Sequence, residues 1–176
     1  MAYDVQIDRN QPPLVLDLRA LPETATDFCH QMGLPLPQAT NSQLAEGPWV
    51  AMRVGPDHWM FLGENRVEQS LNEMIEGAVA RSDLSIIEVS DAYEGFDLSG
   101  PEVLEVMAQG TPLDLRPAAF PEEGASFTSF FGRRVVLLRH REPTGFKVLV
   151  ERSYGDYLKA CLETARAGQS KAVDSA

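Results

Sequence analysis

Histidine and cysteine carry much of the metal binding, acid–base chemistry and nucleophilic chemistry of proteins, and the chain has three histidines and two cysteines. His30, His58 and His140 have no metal-ligand spacing with one another or with Cys29 and Cys161. We expect the histidines at the surface or at strand edges. Each cysteine falls at an apolar position of a predicted helix, so we expect two buried thiols and no metal site.

The acidic side chains form no catalytic pair in the sequence pattern. Glu122 and Glu123 are neighbours and Asp91 is close to Glu94, but adjacent acids in the loops of an acidic protein are usually solvated. Asp97 falls in an apolar strand, where alternation directs it outward. The motifs of dinucleotide sites, phosphate loops, zinc proteases and nucleophile elbows are absent from the sequence. We therefore predict a chain with no complete active site of its own.

The charge balance limits the kinds of partner. The formal net charge is −11, from 15 Lys and Arg against 26 Asp and Glu. This argues against nucleic acid, because neutralising phosphates requires a basic surface. No apolar run reaches the length of a membrane span, and the first residues lack the basic and apolar regions of a secretory signal. We expect a cytoplasmic protein that binds neither nucleic acid nor a membrane.

Arginine is concentrated in the second half of the chain, at Arg133, Arg134, Arg139 and Arg141. Two interpretations are open: these side chains are solvated strand ends, or they form a basic patch that meets an acidic partner. Residues 152–157, with the sequence RSYGDY, are polar and aromatic at a predicted helix start. They either simply begin the helix or receive an anion or a partner carboxylate there.

The elements that must position these residues follow from periodicity and turn residues. Strands are predicted at 14–18, 49–54, 58–62, 84–89, 95–98, and about 125–131, 133–140 and 144–150. Helices are predicted at 25–32, 65–80, 99–110 and from 153 to about 165, the last of them burying Tyr157 and Cys161. Residues 34–48 are predicted to be a long loop.

Short hairpins interleaved with helices predict an α+β fold of antiparallel sheets with packed helices and ferredoxin-like pieces. We expect one compact domain over residues 1–167, with two small lobes of about 1–89 and 90–167 as the alternative. Residues 168–176 are small and polar, and we expect them to be a disordered tail.

A series of short motifs runs in a fixed order through residues 84–162. They are Ser90-Asp91, Leu98-Ser99-Gly100-Pro101, Gly110-Thr111-Pro112-Leu113-Asp114-Leu115, Phe120-Pro121, Thr128, Phe131-Gly132, the apolar strand 135–138, Arg152-Ser153-Tyr154 and Tyr157-Leu158. With the upstream hairpin 55–59, GPDHW, they resemble the gamma subunit of heterotetrameric sarcosine oxidase over roughly residues 49–165. Residues 1–48 match only loosely. The family often has cysteine where this chain has Thr111.

The resemblance implies a fold related to the folate-binding domain of the glycine-cleavage T-protein. It also implies a non-catalytic assembly subunit without a cofactor of its own. FAD, FMN, NAD and tetrahydrofolate would belong to partner subunits of the alpha, beta and delta types. The assembled complex would oxidatively demethylate sarcosine or a related N-methyl amine.

Two other interpretations stay open. One is a stand-alone folate-binding or aminomethyltransferase-like domain, for which Asp91 is the nearest candidate acid. The other is a general interaction module unrelated to amine oxidation.

If the chain is a subunit, the residues of interest are contact residues. Arg134 and Arg139 are the expected members of the basic patch, and Arg134→Glu or Arg139→Glu is expected to weaken assembly while the isolated domain stays folded. Trp59, Arg152 and Tyr154 are further contact candidates, since aromatic and arginine side chains are enriched in interfaces.

Overall fold

The computed structural model describes residues 2–12, 14–63, 76, 78, 81–140 and 145–168. Its strands are β1 Gln6–Asn10, β2 Leu14–Ala20, β3 Ser42–Glu46, β4 Trp49–Gly55, β5 His58–Gly63, β6 Leu84–Glu88, β7 Tyr93–Ser99, β8 Ala125–Phe130, β9 Arg133–His140 and β10 Gly145–Glu151. Its helices are α1 Pro22–Met32, α2 Val103–Met107 and α3 Gly155–Ala167, with 3-10 turns at Ser90–Ala92 and Arg152–Tyr154. The predicted helix 65–80 lies outside the described residues, apart from Glu76 and Ala78, which are helical. Arg141 and the predicted tail beyond Gly168 also lie outside the described residues.

The strands form two five-stranded sheets, in the orders β1-β7-β10-β9-β8 and β3-β4-β5-β2-β6. The registers are antiparallel, for example Ile7↔Leu98 in the first sheet and Leu16↔Phe61 in the second. In the second sheet, the chain runs from β2 through α1 and β3 to β4, and β2 and β4 flank β5, as in the split arrangement of ferredoxin-like folds. The predicted α+β class is confirmed.

The first compact unit contains residues Met1–Asn10, Glu94–Glu122 and Phe127–Ala176. Its core gathers apolar side chains from β7, β9, β10, α2 and α3, including Phe96, Val106, Leu137, Phe146 and Leu158. Burial of each such side chain contributes roughly 1.5–3 kcal/mol. The first ten residues belong to this unit because β1 pairs with β7.

The second compact unit contains residues Gln11–Tyr93 and Glu123–Ser126. Alternate residues of β2, namely Leu14, Leu16 and Leu18, pack in one core with Phe28 and Cys29 of α1. The helix α1 ends where Gly33 adopts a left-handed conformation, with φ 65°, as its sequence position predicts.

Two strands were not predicted. β1 lies in a polar lead segment, and β3 lies inside the predicted loop 34–48. Both are edge strands, and most of their residues are partly or fully exposed, so neither has the apolar alternation that marks a half-buried strand. The loop prediction for 34–48 is therefore wrong over Ser42–Glu46.

The helix starts predicted at residues 99 and 153 are also wrong. α2 begins at Val103 after Glu102, and α3 begins at Gly155 after Tyr154, with no side-chain capping bond at either end. Residues Arg152–Tyr154 form a 3-10 turn instead. Asp156, in the first turn of α3, accepts a hydrogen bond from Arg9 of β1.

Candidate functional site

The turn between β8 and β9 is the first part of the candidate site. Phe131 and Gly132 both have positive φ, 47° and 74°, which is the pattern of a type I′ hairpin turn. A bulky residue in this region is strained, and Phe131 is held there from two sides. Its amide donates to the carbonyl of Gly110 at 2.7 Å, and its carbonyl accepts a hydrogen bond from the Tyr157 hydroxyl at 2.9 Å.

Arg133 follows this turn as the first residue of β9. Its guanidinium lies over the ring of Tyr154 at 4.5 Å and the ring of Tyr157 at 5.2 Å. Tyr154 ends the 3-10 turn and Tyr157 lies in the first turn of α3, so the start of this helix places both rings against one strand residue. Such cation–π contacts fix the plane of the guanidinium. We call Arg133, Tyr154 and Tyr157 the arginine–tyrosine surface.

The start of α3 is held by an ion network from β1 and β7. Arg9 donates to both carboxylate oxygens of Glu94, at 2.5 and 2.8 Å, and to Asp156 at 2.6 Å. These two carboxylates raise the pKa of the Arg9 guanidinium above its ordinary value. The network therefore fixes the helix end that carries Tyr157.

A groove of about 730 Å³ adjoins the arginine–tyrosine surface. It is lined by Tyr3, Gln109, Phe131, Tyr157, Ala160, Cys161, Thr164 and Ala165. Tyr157, predicted to be buried, is 44% exposed, and Cys161 is half-buried rather than buried. The hydrogen bond to the Cys161 thiol raises the pKa of the Tyr157 hydroxyl above its ordinary value.

Of the predicted basic patch, the three arginines that the structure describes, Arg133, Arg134 and Arg139, do not form one common surface. Alternation along β9 places Arg134 on the face opposite to Arg133 and Arg139. Arg134 is exposed, with its guanidinium 4.5 Å from the centre of the Phe127 ring. Arg139 is only 7% exposed, donates to the Leu115 carbonyl and lies over the Phe146 ring. Arg139 therefore supports the fold of the first unit and is not available as a surface contact.

Trp59 is also corrected. Its side chain is 1% exposed in the core of the second unit, its indole donates to the Pro37 carbonyl at 3.3 Å, and Arg53 covers its ring at 4.9 Å. Trp59 is buried because alternation along β5 directs its side chain, unlike that of Met60, toward the face of the sheet that α1 covers. Of the other contact candidates, Arg152 is exposed and Tyr154 is half-buried at the arginine–tyrosine surface.

Asp91 lies in the 3-10 turn before β7 and is exposed. The side-chain amide of Gln11 donates to its carboxylate at 3.3 Å. The neighbouring Ser90 is buried, accepts from the Val15 amide and donates to Glu88. This arrangement stabilises the turn and adds no support to the interpretation of Asp91 as a folate-activating acid.

His58 is buried, although the histidines were expected at the surface or at strand edges. His58 is 4% exposed, and its Nε2 lies 2.7 Å from Oδ2 of Asp17. Burial raises the pKa of the Asp17 carboxyl, but the hydrogen bond and charge of His58 together with Arg19 outweigh it, so the net pKa is lowered. In the same unit, burial raises the pKa of the Cys29 thiol to about 12, which makes it unreactive at neutral pH.

Within the described part of the chain, His, Cys, Asp and Glu side chains form no group of three that could hold a metal ion. The helices in those same residues are all too short or too polar to cross a membrane.

Arg133 was not predicted as a distinct site residue. Two patterns could have marked it: alternation separates Arg133 from Arg134 ahead of the apolar run 135–138, and two tyrosines flank Gly155 at the helix start. The pattern could not predict that Arg133 of β9 packs against the start of α3.

Two proteins of known structure share this fold. A chain of the heterotetrameric sarcosine oxidase from Corynebacterium sp. U-96, in complex with pyrrole 2-carboxylate, matches with a TM-score of 0.83 and 23% identity, over 92% of this chain and 83% of that one. The glycine cleavage system aminomethyltransferase T from Bartonella henselae matches with a TM-score of 0.62 and 14% identity, over 92% of this chain and 46% of that one. At these identities the two similarities show the fold, and this chain spans about half the length of the aminomethyltransferase.

The family is shown by the sequence itself. The profile of the sarcosine oxidase, gamma subunit family matches residues 19–168, so the chain belongs to that family. No curated protein sequence matches it significantly. The resemblance drawn from the motifs of residues 49–165 is confirmed, and the match extends toward the N-terminus through β3 and α1 to the last two residues of β2.

Proposed function

We propose that this chain is a non-catalytic assembly subunit of a flavin-dependent, folate-linked sarcosine oxidase complex. The observation that carries the proposal is the family match over residues 19–168. In this proposal the complex oxidatively demethylates sarcosine or a related N-methyl amine, and this chain stabilises the assembly without touching the substrate.

The proposal assigns the cofactors to other chains. FAD, FMN, NAD and tetrahydrofolate would bind to partner subunits of the alpha, beta and delta types, and none to this one. The distribution of side chains supports a contact role. Arginine and tyrosine, which are enriched among the residues that dominate interface energies, meet on the surface formed by Arg133, Tyr154 and Tyr157.

The two cysteines agree with a cytoplasmic location, which is part of the proposal. Cys29 and Cys161 are both free, as is usual for proteins of a reducing compartment.

Co-expression of this chain with the other oxidase subunits of the same organism tests the proposal. We expect a stable complex that keeps its composition through purification at moderate salt, with the flavin absorbance on the partner chains. Omitting this chain is expected to lower the yield of assembled oxidase. A fully assembled and active oxidase that never retains this chain would contradict the proposal.

A further inference from the structure

We propose that Arg133 anchors this chain to a partner subunit by binding an acidic side chain of that partner, while the adjoining groove receives an apolar side chain of the same partner segment. The inference rests on the proposed function, because the partner is another subunit of the oxidase complex.

Arg133 has a different charge environment from several other arginines of the chain. Arg9, Arg19, Arg81 and Arg116 each form an ion pair with a carboxylate of this chain. Arg133 instead rests between tyrosine rings, and its buried Nε has no hydrogen-bond acceptor among the described residues. Among the arginines that the structure describes, in a chain with a net charge of −11, a half-buried guanidinium whose contacts are aromatic rings and not a carboxylate is unusual. Its loss of hydration is offset only in part by the rings, and a carboxylate from outside would complete the compensation.

The arginine–tyrosine surface is held in place by contacts within this chain. Tyr157 is fixed by its hydrogen bond to the Phe131 carbonyl, and Tyr154 packs against the core of the first unit. With both rings in place, the guanidinium plane of Arg133 is set before a partner arrives. A planar guanidinium binds a carboxylate through two parallel hydrogen bonds, and pre-ordering lowers the entropy lost on binding.

The groove lies beside the guanidinium of Arg133. Tyr157 lines the groove and also contacts Arg133, so the two parts are continuous. Phe131, Ala160 and Cys161 also line the groove and give it an apolar wall. An occupant therefore needs an acidic residue next to an apolar one.

Charge decides between a partner subunit and a second copy of this chain. A twofold interface centred on this surface would bring one Arg133 toward the other, and like charges across an interface are unfavourable. A partner that contributes a carboxylate has no such cost.

The test uses the co-expressed oxidase complex and three variants of this chain: Arg133→Ala, Arg133→Lys and, as the matched control, Arg134→Ala. Arg134 is a neighbouring arginine that also rests on an aromatic ring but is exposed on the other face of β9. We expect Arg133→Ala to weaken co-purification about tenfold or more, Arg133→Lys to restore it only in part, and Arg134→Ala to leave it unchanged. Circular dichroism melts of the free chains check that each variant folds.

Labelling of the wild-type protein with phenylglyoxal, read by mass spectrometry, decides the matter without any variant. Arg133 is expected to react in the free chain and to be protected in the complex, whereas Arg134 reacts in both. Equal labelling of Arg133 in both states, or a folded Arg133→Ala chain that assembles like wild type, overturns the inference. Protection of Arg133 in the free chain that grows with concentration assigns the surface to a second copy and also overturns it. A wild-type chain that never co-purifies contradicts the proposed function itself, which separates the two failures.

Discussion

Gly155 faces the carboxylate of Glu94 so closely that a Cβ atom on residue 155 would clash with Oε2 of Glu94. The same carboxylate is held in place by two hydrogen bonds from Arg9. The first residue of α3 is therefore a glycine because the ion network that positions the helix leaves no room for a side chain.

Gly155→Ala is expected to destabilise the chain by about 1–3 kcal/mol, the usual cost of forcing extra atoms into a packed site. The Glu94 carboxylate must turn away, and its bonds to Arg9 are then lost. Urea denaturation of the free chain measures the change in the free energy of unfolding. Lys159→Ala, an exposed substitution in the same helix, is the control and should change little. An unchanged midpoint for Gly155→Ala would mean that the network rearranges without cost.

The hydrogen-bonded pair of half-buried Asp17 and buried His58 makes the stability of the chain depend on pH. The pKa of the Asp17 carboxyl is lowered in the folded chain, so its contribution to stability is present above the ordinary aspartate pKa of about 4 and is lost as the pH falls through the lowered value. Asp17→Asn should lower stability near neutral pH and flatten the loss below about pH 4. Thermal melts across this pH range, with exposed Asp8→Asn as the control, measure both effects. Parallel curves for Asp17→Asn and wild type would exclude the pair as the source.

The two thiols are expected to react at different rates. Burial raises the pKa of Cys29 to about 12, whereas Cys161 is half-buried and lines the groove. Titration of the native chain with Ellman's reagent should show one fast-reacting thiol, because the thiolate is the attacking species. Cys161→Ser should abolish the fast phase and Cys29→Ser should leave it intact. A fast phase that survives in Cys161→Ser would contradict the assignment.

The sequence predicted the central strands better than the edges. β2, β5 and β9 were found because apolar residues line at least one of their faces, which produces a readable pattern. β1 and β3 are edge strands with mostly exposed or half-exposed residues, and their strand character comes from pairing with β7 and β4. Pairing between distant segments leaves no local signal in the sequence.

The candidate site shows the same limit. Sequence composition marked the arginines of β9 and the segment 152–157 as contact candidates, and both regions contribute to the site. The choice among the arginines depends on which face of β9 each one occupies and on what packs there. The sequence could not separate Arg133 from Arg134 and Arg139, because the surroundings of these side chains are set by tertiary structure. Arg134 lies in solvent and Arg139 lies in the core.

Arg139→Glu is expected to damage the fold of the chain rather than its assembly. Burial lowers the pKa of Arg139, an effect that the charge of Glu122 opposes, and its guanidinium donates to the Leu115 carbonyl. A glutamate at this position would place a negative charge beside that carbonyl and near Glu122. Leaving a charge buried without a counterpart costs about 3–5 kcal/mol, so the free chain should unfold at a much lower urea concentration. Arg139→Met keeps the apolar stem against Phe146 and should cost less, whereas Arg134→Glu should leave the midpoint nearly unchanged. A folded Arg139→Glu chain with wild-type stability would return Arg139 to the list of surface contacts, since only a side chain that reaches water could accept the reversed charge.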